Sequence, residues 1–299
     1  MRKIIFLFFA LFIAGQAWAE NFAEKVRRNL YENPRYVVVV AHRGDWRNSP
    51  ENSLQAFQNC IDMGFDMVEI EVRRTSDGVF VVMHDNTLDR CSNGKGKISD
   101  HTYAELQKLN LKSQHGVLTR HKIPTLEETL LLCKDKILIN VDKGYDYFQQ
   151  LFELMEKTGT TQQVIIKSGK LPEQVLSENA DVIKNTIYMP VINLDGKNAA
   201  AQVEANLKLS PVAIECCFKK YSPQVETLLQ RIREAGVKVW INSLWPSLCD
   251  GHDDDRAVEL KEPDESWGWI LDRGATLIQT DRPKELIQYL KKHKARKLK

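Results

Sequence analysis

A chain of 299 residues, 43% of them hydrophobic, can bury one large globular core, and α/β barrels reach this size as single domains. Its 42 basic and 40 acidic residues leave a formal charge of only +2, so no basic excess marks nucleic acid as a partner.

At the start of the chain, Arg2 and Lys3 precede the apolar stretch 4–15, and Ala17-Trp18-Ala19 is a small-x-small cleavage site. Residues 1–19 therefore read as an export signal and residues 20–299 as a single mature domain, periplasmic or extracellular. An uncleaved anchor is the alternative, although the apolar stretch is short for a bilayer and no cysteine follows the cleavage site to carry a lipid. Without Arg2 and Lys3 the formal charge falls to zero. The six cysteines (Cys60, Cys91, Cys133, Cys216, Cys217, Cys249) form no CxxC pair, which argues against a zinc site or a thioredoxin-like motif and for buried thiols with at most one bridge.

The first ordered signal is the apolar run 36–40, bounded by Pro34 and Gly44, a strand buried on both faces that ends in His42-Arg43. A helix follows over 53–63 and stops at Gly64. Further short apolar runs lie at 67–72, 137–141, 164–167, 187–191, 212–216, 237–241 and 276–279. Helical segments separate most of them, among them one opened by the capping box Thr125-x-x-Glu128 and one opened by Ser222-Pro223 and stopped at Gly236. Eight strands with helices between them predict an α/β fold of the (β/α)8 barrel type. An open doubly wound sheet is the alternative, but no glycine-rich dinucleotide turn follows the first strand.

Residues 79–83 are an extra strand. Only six residues separate them from the run 67–72, too few for a helical crossover, so the two form an antiparallel hairpin. With Ser76 and Asp77 at the turn centre, Glu69 faces His84. Glu69 and Glu71, two apart on one strand, project from the same face. A solvated strand face is the simple explanation, but a barrel strand turns one face inward, where carboxylates need a compensating cation. Oxygen ligands favour calcium or magnesium over zinc.

The ordered series His42-Arg43-Gly44, Pro50-Glu51-Asn52-Ser53, Glu69-x-Glu71, Thr75-x-Asp77-Gly78, His84-Asp85, Thr87-Leu88-x-Arg90-x-x-x-Gly94-x-Gly96, Pro124-Thr125-Leu126-x-Glu128 and Thr280-Asp281-Arg282-Pro283 resembles the glycerophosphodiester phosphodiesterase family. The resemblance implies a metal-dependent barrel hydrolase that splits a small-molecule glycerophosphodiester into sn-glycerol 3-phosphate and an alcohol. Position by position, it implies that His42 and His84 are the acid/base pair, Arg43 a phosphate ligand, and Glu69 and Glu71 ligands to a divalent ion, Ca2+ or Mg2+. Such chemistry needs a cation and an arginine fork to absorb charge at phosphorus, and two groups to move protons.

The sequence departs from that family at three places. Glu71 stands where the second metal carboxylate is usually aspartate. On the third barrel strand Asp142 and Lys143 are adjacent, so both serve the site only if the strand bulges or ends there; Asp142 is assigned to the metal and Lys143 to the phosphate. After Asn242 an inserted loop, residues 243–266, carries Asp253-Asp254-Asp255, read as a solvated acidic turn whose charge would leave a cationic headgroup acceptable. Residues 86–122 correspond to the insertion characteristic of the family, which the resemblance implies caps the site. Trp240 and Asn242 are the candidates for headgroup binding, with Trp245 nearby; a place in the core is the other reading of the tryptophans. Two alternative functions stay open: a phosphoinositide- or lysophospholipid-directed phosphodiesterase of the same barrel type, and a non-catalytic phosphodiester-binding protein.

Overall fold

A computed structural model of the chain describes residues 20–295; the expected export signal lies outside the described residues. Eight parallel strands close a barrel: β1 (Val38–Ala41), β2 (Met67–Arg74), β4 (Leu138–Asp142), β5 (Val164–Ser168), β6 (Ile187–Asn193), β7 (Ala213–Cys217), β8 (Lys238–Asn242) and β9 (Ala275–Thr280). β1 pairs with both β2 and β9, which shuts the cylinder, and β3 (Phe80–Val82) adds to β2 outside it. The expected (β/α)8 fold is the one found.

Alternation along each strand makes two cores. One set of side chains, including Val39, Val68, Ile70, Ile139, Ile166 and Ile278, packs under the helices. The other set, including Val40, Met67, Leu138, Ile165, Met189, Trp240 and Leu277, fills the barrel. The helix Phe22–Glu32 seals the amino-terminal end of the cylinder by adding Ala23, Val26 and Leu30 to this inner core. Asn21 and Glu24 hold its first turn in a capping box. The helices Leu54–Asp62, Leu126–Cys133 and Pro223–Glu234 begin at Ser53, Thr125 and Ser222, as their capping residues dictate. Among the described residues no helix is long and apolar enough to cross a membrane. All six cysteines are free thiols, and all but Cys217 are buried.

The hairpin forms with its register one residue away from expectation. Val72 pairs with Val82 and Arg74 with Phe80, and the Met83 amide donates to the Glu71 carbonyl, so Glu69 does not face His84. The cause is a three-residue loop. Thr75 and Val79 close it, the Thr75 hydroxyl accepts from the Val79 amide, and Gly78 takes φ +85°, a conformation that favours glycine.

Candidate active site

Strand alternation carries the inner face upward from an apolar floor to a polar rim. On β2 the inward positions read Met67, Glu69, Glu71, on β4 Leu138, Asn140, Asp142, and beyond Val38 and Val40 of β1 comes His42. His42, Glu69 and Glu71 are buried, and each has a potential ligand atom within 4.8 Å of the other two. Burial, together with the charge of Glu71, drives the Glu69 carboxyl well above the usual carboxylate range. Beside these acids the buried side-chain oxygens of Asn52 and Asn140 receive no hydrogen bond, although the Asn52 amide itself donates to Glu71 at 2.6 Å. Such a surplus of buried acceptors fits a hard cation.

Each histidine is fixed by a carboxylate. His42 Nδ1 lies 2.8 Å from Asp281 Oδ1, and Asp281 also accepts from Trp46 Nε1 at 2.6 Å. His84 Nδ1 lies 2.5 Å from Asp85 Oδ1, and its Nε2 is 3.9 Å from Glu71. Partial burial pulls the His84 imidazole below the ordinary histidine value, against the opposing pull of Asp85 and Glu71. Arg73 and Lys143 both donate to the His84 carbonyl, Lys143 Nζ at 3.1 Å.

Arg43, at φ +54°, turns its guanidinium between Glu71 (3.1 Å) and Glu51 (3.2 Å), and its own amide donates to Glu69. Burial opposes its charge, but the carboxylates of Glu71, Glu51 and Glu69 outweigh burial and raise its pKa. Arg90 continues the network, with forked contacts to Glu51 and to Asp85 between 2.7 and 2.9 Å. An unbroken charged chain thus runs Arg43, Glu51, Arg90, Asp85, His84. Residues 86–122 pack their own small core of Leu88, Cys91, Ile98, Leu106 and Leu111 against Val81 and Met83, and so deliver Arg90 to this chain.

Three sequence expectations meet the structure here. β4 ends at Asp142 and Lys143 takes φ +58°, which lets the two adjacent side chains serve one end of the barrel. Asp142 is the cross-strand neighbour of Glu71 on the inward face, and its charge helps to raise the Glu69 carboxyl, although its own contacts run to lysines. Its Oδ2 faces Lys167 Nζ at 3.6 Å, its Oδ1 accepts the Lys143 amide, and Lys167 holds it below the usual carboxylate range against burial. Lys167 is itself buried and paired with Glu215 at 2.9 Å, so one buried cation serves both Asp142 and Glu215 beside the glutamate pair.

Trp240 and Asn242 are interior, not headgroup contacts. Trp240 is 0% exposed within the inner core, its indole donates to Asn242 Oδ1 at 2.7 Å, and the Asn242 amide donates to Glu215. The hydrogen-bonding capacity of Asn242 is consumed inside the barrel. Trp245, 43% exposed with its ring edge-on to His42 at 6.0 Å, is the tryptophan that reaches the mouth.

The acidic turn is not a solvated feature either. Asp253 caps the helix Asp254–Val258 by accepting from the Arg256 amide, and only Asp255 is exposed. Asp254 is 1% exposed: its Oδ1 accepts from Ser243 Oγ (2.7 Å), Thr280 Oγ1 (2.8 Å) and Trp267 Nε1 (2.9 Å), and its Oδ2 from the Asp281 amide (2.6 Å). The run of three aspartates is therefore no charged surface awaiting a cationic headgroup.

Sequence reasoning assigned no role to Asp281, Asp85, Glu51 or Arg90. All four stood within the matched motifs, and an acid next to His84 was the one local signal that a histidine partner was present.

A family model described as a domain of unknown function matches residues 188–290. A glycerophosphodiester phosphodiesterase of Caldanaerobacter subterraneus subsp. tengcongensis is 42% identical over 108 residues, which is 36% of this chain and 44% of that protein. Glycerophosphodiester phosphodiesterase 1 of Mus musculus is 40% identical over 158 residues, 47% of this chain and 48% of the relative. The chain thus spans about half the length of the curated relatives it matches. Among solved structures, a glycerophosphoryl diester phosphodiesterase from Parabacteroides distasonis superposes with a TM-score of 0.75 at 28% identity, covering 91% of this chain and 92% of its own. An Oleispira antarctica phosphodiesterase, solved in complex with the product sn-glycerol-3-phosphate, matches in fold with a TM-score of 0.64 at 20% identity, over 85% of this chain and 96% of its own. Relatives found by sequence and by structure are consistently glycerophosphodiester phosphodiesterases, and the (β/α)8 barrel of those enzymes is the fold of this chain.

Proposed function

We propose that the protein hydrolyses small glycerophosphodiesters to sn-glycerol 3-phosphate and an alcohol. The observation that carries this reading is the rim itself: two histidines, each oriented through Nδ1 by its own carboxylate, flank a buried glutamate pair with surplus acceptors around it. Glu69 and Glu71 would hold one hard divalent ion, calcium or magnesium, with His42 beside them. When bound, that ion supplies positive charge to a phosphate whose anionic oxygens repel a nucleophile. Arg43 and Lys143 add charge at the phosphate, and the network through Glu51 and Arg90 keeps Arg43 and His84 in one arrangement. With Nδ1 occupied, Nε2 of His42 and of His84 is left to carry protons, one from the attacking hydroxyl and the other to the leaving oxygen. Trp245 would pack on the substrate beside His42. We further propose that residues 1–19 export the protein, which N-terminal sequencing of the secreted or periplasmic material would check.

The test is release of sn-glycerol 3-phosphate from a panel of choline, ethanolamine, glycerol and inositol glycerophosphodiesters by protein lacking residues 1–19, with and without chelator. Turnover of at least one substrate that chelation abolishes supports the reading. Binding without turnover, with any divalent ion, would sink it.

A further inference from the structure

The inserted loop 243–266 sends one buried carboxylate, that of Asp254, under the rim. Asp254 gathers donors from the end of β8 (Ser243), from the end of β9 (Thr280 and Asp281) and from Trp267 in the π-helical turn Asp264–Gly268. A loop can be held down by apolar packing alone, with neither a buried carboxylate nor the donors that it needs. What an apolar side chain cannot do is accept the Asp281 amide at 2.6 Å.

That amide belongs to the residue whose carboxylate meets His42 Nδ1 and Trp46 Nε1. We propose that Asp254 is a positioning residue of the catalytic site, setting the main chain at Asp281 and through it the orientation of the His42 imidazole. The inference rests on the phosphodiesterase reading for its kinetic consequence and on geometry alone for its structural one. Asparagine at 254 separates the two roles of the side chain. Its oxygen can still accept from Ser243, Thr280 and Trp267, but its amide nitrogen then opposes the Asp281 N–H, donor against donor. Displacement of a catalytic group by a fraction of an ångström lowers turnover with little effect on substrate binding.

The test compares Asp254→Asn, Trp267→Phe, Asp281→Asn and the double variant Asp254→Asn/Asp281→Asn in the full mature chain, assayed with glycerophosphoethanolamine and 15N-labelled at tryptophan. Asp254→Asn should lower kcat by about 10- to 100-fold with KM within about twofold. Trp267→Phe loses one donor to the same carboxylate but leaves the Asp281 contact, so its kcat should stay within about twofold of the parent. The double variant should be no slower than Asp281→Asn alone, the mark of two residues acting as one unit. The Trp46 indole N–H resonance should move in Asp254→Asn and Asp281→Asn and hold still in Trp267→Phe. Equal losses in Asp254→Asn and Trp267→Phe, or full additivity in the double variant, would reduce Asp254 to a loop anchor and overturn the proposal. If Asp254→Asn does not fold, hydrogen exchange in the unaltered protein decides: the Asp281 amide must be protected, and fast exchange there overturns the proposal. Should the protein prove not to be a phosphodiesterase, the indole resonance and the amide still report the positioning.

Discussion

His42 and Asp281 sit 239 positions apart in the chain and 2.8 Å apart in space, at the seam where the first and last barrel strands pair. His84 and Asp85 form the same kind of dyad between neighbours in sequence. The two halves of the proposed acid/base apparatus therefore depend on different things: one on barrel closure, the other on the local turn after the hairpin.

Replacing His42 or His84 with alanine should each lower kcat by about 10²-fold or more. Circular dichroism should show both variants folded, because both imidazoles stand above the apolar floor. Near-normal turnover in either folded variant removes that histidine from the mechanism.

Chelation should abolish activity, and calcium or magnesium should restore it. The same ion should raise the melting temperature of the metal-free protein, since a ligand that binds only the folded state stabilises it by mass action. Glu69→Gln and Glu71→Gln should each remove that thermal response. A melting curve indifferent to both ions in the parent protein would count against the cation site.

Trp240 and Trp245 should separate cleanly. Trp245→Ala leaves the core alone and should raise KM with only a modest effect on melting. Trp240→Ala empties a fully buried site and should cost about 3–5 kcal/mol in a denaturant titration. Equal KM effects at matched stability would show that Trp240 reaches substrate after all.

Burial pushes the Asp254 carboxyl up to about 7 despite its four hydrogen bonds, against an ordinary value of 3.8. The folded protein then holds a proton that the unfolded chain has lost across roughly pH 4–7. Stability from this group is full below that window and is lost as pH rises through about 7. The difference in melting temperature between the parent and Asp254→Asn should therefore vary over pH 4–7 and level off above it. A difference that stays constant across the window means that Asp254 does not titrate there.

The barrel was legible because its eight strands are short apolar runs and its helices carry their own caps at Ser53, Thr125 and Ser222. Glu69 and Glu71 were legible because their spacing of two puts them on one face. What escaped depends on features that pattern reading does not weigh. The hairpin register moved by one because a side-chain hydroxyl, that of Thr75, enlarged the turn. Trp240 reads as a mouth residue because it stands two residues from the end of its strand, where interior and rim differ by one step of rise. Asp254 looked solvated among its acidic neighbours because nothing in the local sequence shows the four donors that arrive from elsewhere. The helix Phe22–Glu32 drew no expectation at all, since its partner is the open end of the barrel and not a neighbouring run.

The seam has a consequence for biosynthesis. β1 emerges early from the ribosome, yet its partner β9 and the carboxylate of Asp281 come from the last tenth of the chain. Until that segment is made, β1 has an unpaired edge, and no partial chain holds the His42–Asp281 pair. Loop-closure entropy over so long a separation also makes this pairing a slow step. Activity should thus appear abruptly and late in refolding, with the final strand's docking and not with the bulk formation of helix.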